Sequence, residues 1–112
     1  MVRFGILHAR GESGKEYSFL LYPWGTKFKK GIGAVYFVTN RYRKKEGTHI
    51  HGGIYVGQTE DLSTEFDYHP KQSCFDKYGA SCVCVREEAD RDTRLKVVQD
   101  LSDNYGPPCN RE

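Results

Sequence analysis

Two short segments rich in β-branched and aromatic residues, AVYFVT at residues 34–39 and GIYVGQ at residues 53–58, most constrain the fold of this chain. Such residues favour strands, and a basic, glycine-containing loop separates the two segments. The pattern predicts two strands that pair antiparallel. Because the chain has only 112 residues, we expect a single compact unit with one modest core.

The flanking segments predict the remaining elements. The apolar runs at 3–9 and 16–22 are separated by the glycine-rich turn GESGK and predict a leading β-hairpin. SCVCVRE at 81–87 alternates as a further strand would. Together with the helices described next, these strands predict an α+β fold, in which helices pack on a small antiparallel sheet.

Three segments predict helices. The first runs from Glu60 to Pro70, with Asp61 near its start, and a second covers 71–78 and closes at Gly79. A third covers 88–104, and the regular structure is expected to stop at the two prolines that follow, Pro107 and Pro108. Its apolar residues recur every three or four positions, which predicts one buried stripe: Leu95, Val98, Leu101 and Tyr105.

Charge is distributed unevenly along the chain. Residues 1–56 carry 10 basic and 3 acidic side chains, whereas residues 57–112 carry 7 basic and 12 acidic ones. Two basic clusters flank the 34–39 segment, a distribution typical of a phosphate-facing surface, although lysines also protect exposed sheet edges. The candidate nucleic-acid-binding residues are Lys27, Lys29, Lys30, Arg41, Arg43, Lys44 and Lys45.

The four cysteines, at positions 74, 82, 84 and 109, lack the paired spacing of a zinc ribbon. Free, mostly buried thiols are the simplest interpretation. On strands, Cys82 and Cys84 would share one face, as would His49 and His51. These four residues could form a metal site with two histidine and two cysteine ligands, but nothing in the sequence brings the two segments together, so structural thiols are the favoured interpretation and no metal site is expected.

The segments GAVYFVTN and IYVGQTEDL resemble the two-part signature of the GIY-YIG nuclease superfamily, with AVY and YVG as its two halves. The later segments HPKQSCFDKYGASCVCVRE, DTRLKVVQDL and YGPPCN resemble small bacterial domains of that superfamily in the same order. The resemblance covers residues 33–110 and implies a GIY-YIG-like domain at 33–112, preceded by an accessory hairpin at 1–32. For active members it implies hydrolysis of a nucleic-acid phosphodiester with one divalent metal, Mg²⁺.

The resemblance also implies site residues. Two tyrosines help to bind and activate water, a glycine follows the second tyrosine, and a histidine ends the first helix. A helix arginine and a terminal asparagine support the site. In this chain the matching residues are Tyr36, Tyr55, Gly57, His69, Arg94 and Asn110.

Two positions depart from the family's pattern. Glu65 stands where the first helix has an arginine that stabilises the phosphate, and Val98 stands where the last helix has the metal-binding glutamate. Asp100 cannot replace that ligand, because two residues correspond to about 200° around a helix. We therefore expect no cofactor.

The favoured interpretation is a catalytically impaired GIY-YIG-like domain that binds nucleic acid or a phosphorylated ligand. One alternative is a protein-interaction module whose partner contacts the acidic half of the chain, and another is an active endonuclease with an unorthodox site. The candidate partner-contacting residues are Glu65, Glu87, Glu88 and Asp90. With no long apolar run and no recognisable export signal, the expected location is the cytoplasm, with no membrane partner.

Overall fold

The computed structural model describes residues 5–43, 47 and 49–111, without the side chains at positions 43, 49 and 50. Over these residues the chain forms five strands and four helices. In chain order they are β1 (Gly5–Arg10), β2 (Glu16–Pro23), β3 (Ala34–Arg43), β4 (His49–Thr59), α1 (Leu62–Glu65), α2 (Gln72–Lys77), β5 (Cys82–Glu87), α3 (Arg91–Tyr105) and α4 (Pro108–Arg111).

All five strands belong to one antiparallel sheet with the order β1-β2-β5-β3-β4. The predicted α+β class and the antiparallel pairing of β3 with β4 are confirmed. The leading hairpin extends the sheet, because β2 pairs with β5 from Leu20 opposite Val85 to Pro23 opposite Cys82. The three strands that carry the family-like segments, β3, β4 and β5, are neighbours at the other end of the sheet.

The helices follow the predicted positions but differ in extent. The first is a single turn whose N-cap, Asp61, accepts a hydrogen bond from the Ser63 N–H, and α3 is capped in the same way by Asp90. Gly79 and Gly106 have positive φ after α2 and α3, as expected at helix ends. The expected stop at the two prolines is wrong, because the chain continues into α4.

The predicted stripe of α3 is also wrong in part. The buried residues are Arg94, Val97 and Leu101, whereas Leu95 and Tyr105 are 41% and 46% exposed. Arg94 turns inward because its guanidinium donates to Gln58 Oε1 at 2.8 Å and to two backbone carbonyl oxygens, those of Glu88 and Ala89. A pattern of apolar residues alone cannot identify a helix face that is built around a buried cation.

The sheet separates two clusters of buried side chains. One face, here called the tyrosine face, carries Tyr36, Val83 and Val85 and is covered by α1, α2 and α4. The other, the thiol face, carries Cys82 and Cys84 with residues from β1 and β2, and is covered by α3.

The last residues pass from one face to the other around the edge strand β4. Asn110 pairs with the backbone of this strand: it accepts from the Val56 N–H at 2.9 Å and donates to the Val56 carbonyl oxygen at 2.8 Å. Cys109 then forms a disulfide with Cys74 of α2. The asparagine thereby satisfies backbone groups that an edge strand otherwise leaves open.

The disulfide corrects the expectation of four free thiols: Cys82 and Cys84 alone are free and buried. Sequence spacing could not reveal the pair, because only the turn of the chain around β4 brings the two residues together. Disulfides persist mainly in oxidising compartments, and the cytoplasmic location stays a prediction. Within the described residues, no helix has the length and apolarity needed to cross a bilayer.

Candidate functional site

Tyr36 is the centre of a polar network on the tyrosine face. Its ring is buried, and its hydroxyl lies 2.6 Å from Glu65 Oε2 and 2.8 Å from His69 Nε2. Glu65 is the last residue of α1 and His69 lies four residues later, beyond the end of that helix, and both side chains reach Tyr36 on β3.

The hydrogen bonds assign a direction to this network. The Lys71 N–H donates to His69 Nδ1 at 3.0 Å, so a neutral imidazole carries its proton on Nε2. That N–H donates to the Tyr36 oxygen, and the Tyr36 hydroxyl donates to Glu65. The chain of donors therefore ends on a carboxylate, and Tyr36 acts as a donor held in place rather than as a group open to a ligand.

Tyr55 stands beside Tyr36 on the neighbouring strand. The centroid of its ring is 6.1 Å from that of Tyr36 and 5.3 Å from that of His69. Gly57 makes this arrangement possible, because a Cβ at that position would lie 2.7 Å from Tyr55 Cε2 and 2.8 Å from the Tyr36 hydroxyl. The close packing of the two tyrosines therefore explains why position 57 is a glycine.

Burial and the nearby carboxylate determine the protonation of the network. Burial first, and then the hydrogen bond and charge of Glu65, raise the pKa of Tyr36 far above its ordinary value. Burial and Glu65 also raise the pKa of Tyr55, whereas burial lowers the pKa of His69. At neutral pH the network thus holds two neutral phenols and a neutral imidazole next to Glu65.

The other family-like positions lie elsewhere. Val98 is partly buried against the thiol-face cluster, and the bonds of Arg94 hold the start of α3 against β4. Asp100, on the same helix, accepts hydrogen bonds from Ser13 and Tyr17, which fastens the β1–β2 turn. The structure thus gathers five of the sequence-predicted positions around one another: Tyr36, Tyr55, Gly57, Glu65 and His69.

The two basic clusters do not share a face where their side chains are described. Lys27 lines a cavity of about 130 Å³ with Trp24 and Phe66 on the tyrosine-face side, and Lys29 and Lys30 follow it as exposed residues. We call residues 24–30 the lysine loop.

The members of the second basic cluster lie elsewhere or outside the described part. The hydrogen bond with Cys84 is the main cause that lowers the pKa of Cys82, and the charge of Arg41 lowers it further, which places Arg41 on the thiol-face side. Among the remaining members, the Arg43 side chain and residues Lys44 and Lys45 lie outside the described part of the chain.

Three of the four acidic candidates, Glu65, Glu88 and Asp90, already accept hydrogen bonds within the protein. Glu88 accepts a hydrogen bond from the Asp90 N–H at 3.0 Å, and Asp90 caps α3 by accepting from Thr93. Glu87, Glu88 and Asp90 lie at the end of β5 and the start of α3, whereas Glu65 lies in the tyrosine network.

One constellation on the thiol face was not expected from the sequence. One ligand atom each from His51, Cys82 and Cys84 lies within 4.8 Å of the others. The hydroxyl of Thr39 lies 2.9 Å from His51 Nδ1 and 3.9 Å from Cys84 Sγ. The available sequence signal was the Gly52–Gly53 pair, since glycines inside a strand often mark a bulge.

Comparison of the chain with protein families, with curated proteins and with solved structures found no match.

Proposed function

We propose that the tyrosine face is a GIY-YIG-type site that has lost metal-dependent cleavage and binds a phosphate-bearing ligand, foremost nucleic acid, through the lysine loop. The resemblance of residues 33–110 suggests the family. The observation that carries the proposal is the hydrogen bond from Tyr36 to Glu65 at 2.6 Å, because it puts a carboxylate where the family's pattern has a phosphate-stabilising arginine.

This carboxylate opposes cleavage. Hydrolysis of a phosphodiester needs an activated water and positive charge against the developing charge on the phosphate. The network offers neutral phenols, a neutral imidazole and one anion. Val98, in place of a metal-binding glutamate, supplies no ligand for Mg²⁺.

Binding is supported by the lysine loop, which adjoins the tyrosine network through aromatic rings. Phe66 packs against Tyr36 at 4.9 Å and against Trp24 at 5.4 Å between ring centroids. A half-buried tryptophan next to exposed lysines combines the stacking surface and the phosphate-binding charge that single-stranded nucleic acids require. The expected ligand therefore contacts Lys27, Lys29 and Lys30 with its phosphates.

The test is the salt dependence of binding to short duplex and single-stranded DNA. If three lysines each neutralise one phosphate, log K against log salt should have a slope of about −2.7 for duplex DNA. Replacing Lys27, Lys29 and Lys30 together by glutamine should remove most of the affinity and flatten the slope. The matched control replaces Lys15, Arg91 and Lys96 by glutamine, an equal charge change at exposed positions outside the lysine loop. It should bind as the wild type does.

Two outcomes would overturn the binding proposal. Absence of binding at low salt would favour the protein-interaction alternative, and equal losses in the two triple variants would mean that only overall charge matters.

Cleavage is tested separately with plasmid and single-stranded DNA in the presence of Mg²⁺ or Mn²⁺. We expect no cutting above background. Metal-dependent nicking that disappears in Tyr55→Phe would show an active site in this protein and would overturn the loss of cleavage. Nicking that persists in Tyr55→Phe would come from a contaminant or another site and would leave the proposal in place.

A further inference from the structure

We propose that His51, Cys82 and Cys84 form a metal site on the thiol face that binds one zinc ion. This inference is independent of the proposed function, because the three residues lie across the sheet from Tyr36 and Tyr55. It concerns a site built from three neighbouring strands, one ligand on β4 and two on β5, with β3 between them.

The strand geometry explains why the two thiols meet. Residues two apart on a strand project to the same face, and both Cys82 and Cys84 are buried in the thiol-face cluster. β3 pairs with this strand so that Thr39 is opposite Cys82 and Phe37 is opposite Cys84. The Thr39 side chain therefore lies next to the thiols, where its hydroxyl reaches Cys84 Sγ at 3.9 Å.

A β-bulge brings the histidine to the same face. On β4, Tyr55 is opposite Val38 but Gly53 is opposite Thr39, so Ile54 is an extra residue. An unbroken register would place His51 opposite Tyr42, on the other face, because a shift of one residue reverses every side chain. With the bulge His51 is opposite Arg41 and reaches Thr39 Oγ1 at 2.9 Å.

Gly53 allows the bulge to close. A Cβ at this position would lie 2.8 Å from Phe37 Cε1, so a larger residue would push β4 away from the thiol face. Bulges occur often next to functional sites, where they redirect a side chain. Here the redirected side chain is an imidazole, and its neighbours are two thiols.

The ligand chemistry selects zinc over Mg²⁺ or Ca²⁺. Thiolates and imidazole suit zinc, whereas Mg²⁺ and Ca²⁺ prefer oxygen. In tetrahedral zinc sites, with bonds of about 2.3 Å to sulfur and 2.0 Å to nitrogen, the ligand atoms are about 3.5–3.8 Å apart. Atoms already within 4.8 Å of one another therefore need only a small closing movement.

Charge also balances at this position. On binding, each thiol releases its proton to solvent and forms a sulfur–zinc bond, so two thiolate charges cancel the charge of the ion. The ion and its three ligands then carry no net charge together, which avoids the cost of an unpaired ion in the core. Three protein ligands leave a fourth position for water, and the partly exposed His51 lies on the solvent side of the buried thiols.

The experiment titrates the 112-residue chain, with the Cys74–Cys109 disulfide intact and Cys82 and Cys84 as free thiols, with Co²⁺ alone, without reductant or chelator, and then displaces Co²⁺ with Zn²⁺. We expect one equivalent of Co²⁺ to produce a thiolate charge-transfer absorption and the visible bands of a tetrahedral ion. Zn²⁺ should abolish both. An absence of the charge-transfer absorption with the folded wild type would overturn the proposal.

Variants assign the ligands. Loss of a residue that only hydrogen-bonds to a metal ligand typically weakens metal binding by roughly 10–100-fold. Thr39→Val should fall in this range, whereas Cys84→Ser and His51→Gln, which each remove a ligand, should weaken Co²⁺ binding by more. His8→Gln is the matched control, because His8 is an exposed histidine on β1, and it should bind as the wild type does.

Cys84 is buried, so its variant could fail to fold. His51 is partly exposed, so we expect His51→Gln to fold and to test the ligand assignment in that case too. A folded His51→Gln protein, checked by circular dichroism, with unchanged affinity and spectrum would overturn the site.

Discussion

The two faces of the sheet hold their polar groups in different ways. On the tyrosine face the network is complete: each hydrogen bond of Tyr36 and His69 ends on a partner within residues 36–71. On the thiol face the cluster consists of His51, Cys82 and Cys84, and no carboxylate is among its three ligand atoms. A network that satisfies itself has little capacity left for a cation, whereas the cluster across the sheet has the donors that a soft metal prefers.

The same contrast extends to the covering helices. The tyrosine face is covered by short helices, joined by the Cys74–Cys109 disulfide. The thiol face is covered by one helix of 15 residues that is oriented by a buried arginine. We infer that the stability of the first face depends on a covalent bond, and that of the second on buried hydrogen bonds.

The largest effect is expected from removing the disulfide. In the chain-entropy account, replacing Cys74 and Cys109 by serine, which opens a bridge with a sequence separation of 35, should lower the free energy of unfolding by about 4 kcal/mol. Urea denaturation measures this loss, and Co²⁺ binding on the thiol face should persist in the folded variant. Unfolded wild-type protein without reductant should show two reactive thiols, and four would contradict the bond.

Arg94→Met should have the next largest effect. It leaves Gln58 Oε1 and two carbonyl oxygens without their donor, and we expect a loss of about 3 kcal/mol in urea denaturation. Arg91→Met, at the exposed first residue of the same helix, should stay within about 0.5 kcal/mol of the wild type. Similar losses in both variants would contradict the burial of Arg94.

Val98→Glu tests whether a metal ligand can be restored. Because Val98 packs partly against the thiol-face cluster, the new carboxylate should cost about 2 kcal/mol, and Mg²⁺ should not raise the melting temperature. Leu95→Glu on the same helix should cost less, since Leu95 is 41% exposed. A rise in melting temperature with millimolar Mg²⁺ in Val98→Glu alone would instead indicate a ligand position of the family's kind.

The smallest effect is a pH dependence on the tyrosine face. Because burial lowers the pKa of His69 from its ordinary value of 6.5, the unfolded chain binds a proton on this histidine at a higher pH than the folded protein does. The free energy of unfolding should therefore fall as pH decreases below 6.5 toward the lower pKa of the folded state. His69→Gln should reduce this slope and His8→Gln should leave it unchanged, as measured by urea denaturation between pH 5 and 8. An equal slope in the wild type and in His69→Gln would contradict the shift.

Much of the local structure was predictable from neighbouring residues. The β-branched and aromatic segments around Tyr36 and Tyr55 formed strands, and Asp61 acts as the expected helix cap. The strand predicted over 81–87 is β5. These predictions succeeded because propensity and capping act over a few residues. The role of these residues as a remnant nuclease site stays a prediction.

The remaining features depend on contacts between distant segments. The sequence by itself determined where the five strands and three of the four helices lie. Only the tertiary structure decided that β2 pairs with β5, that Cys74 meets Cys109, and that Arg94 faces inward. It also decided, through one bulged residue, that His51 joins the thiols. The physical reason is that sheet order and register arise from the packing of the whole chain, and a shift of one residue exchanges the faces of a strand.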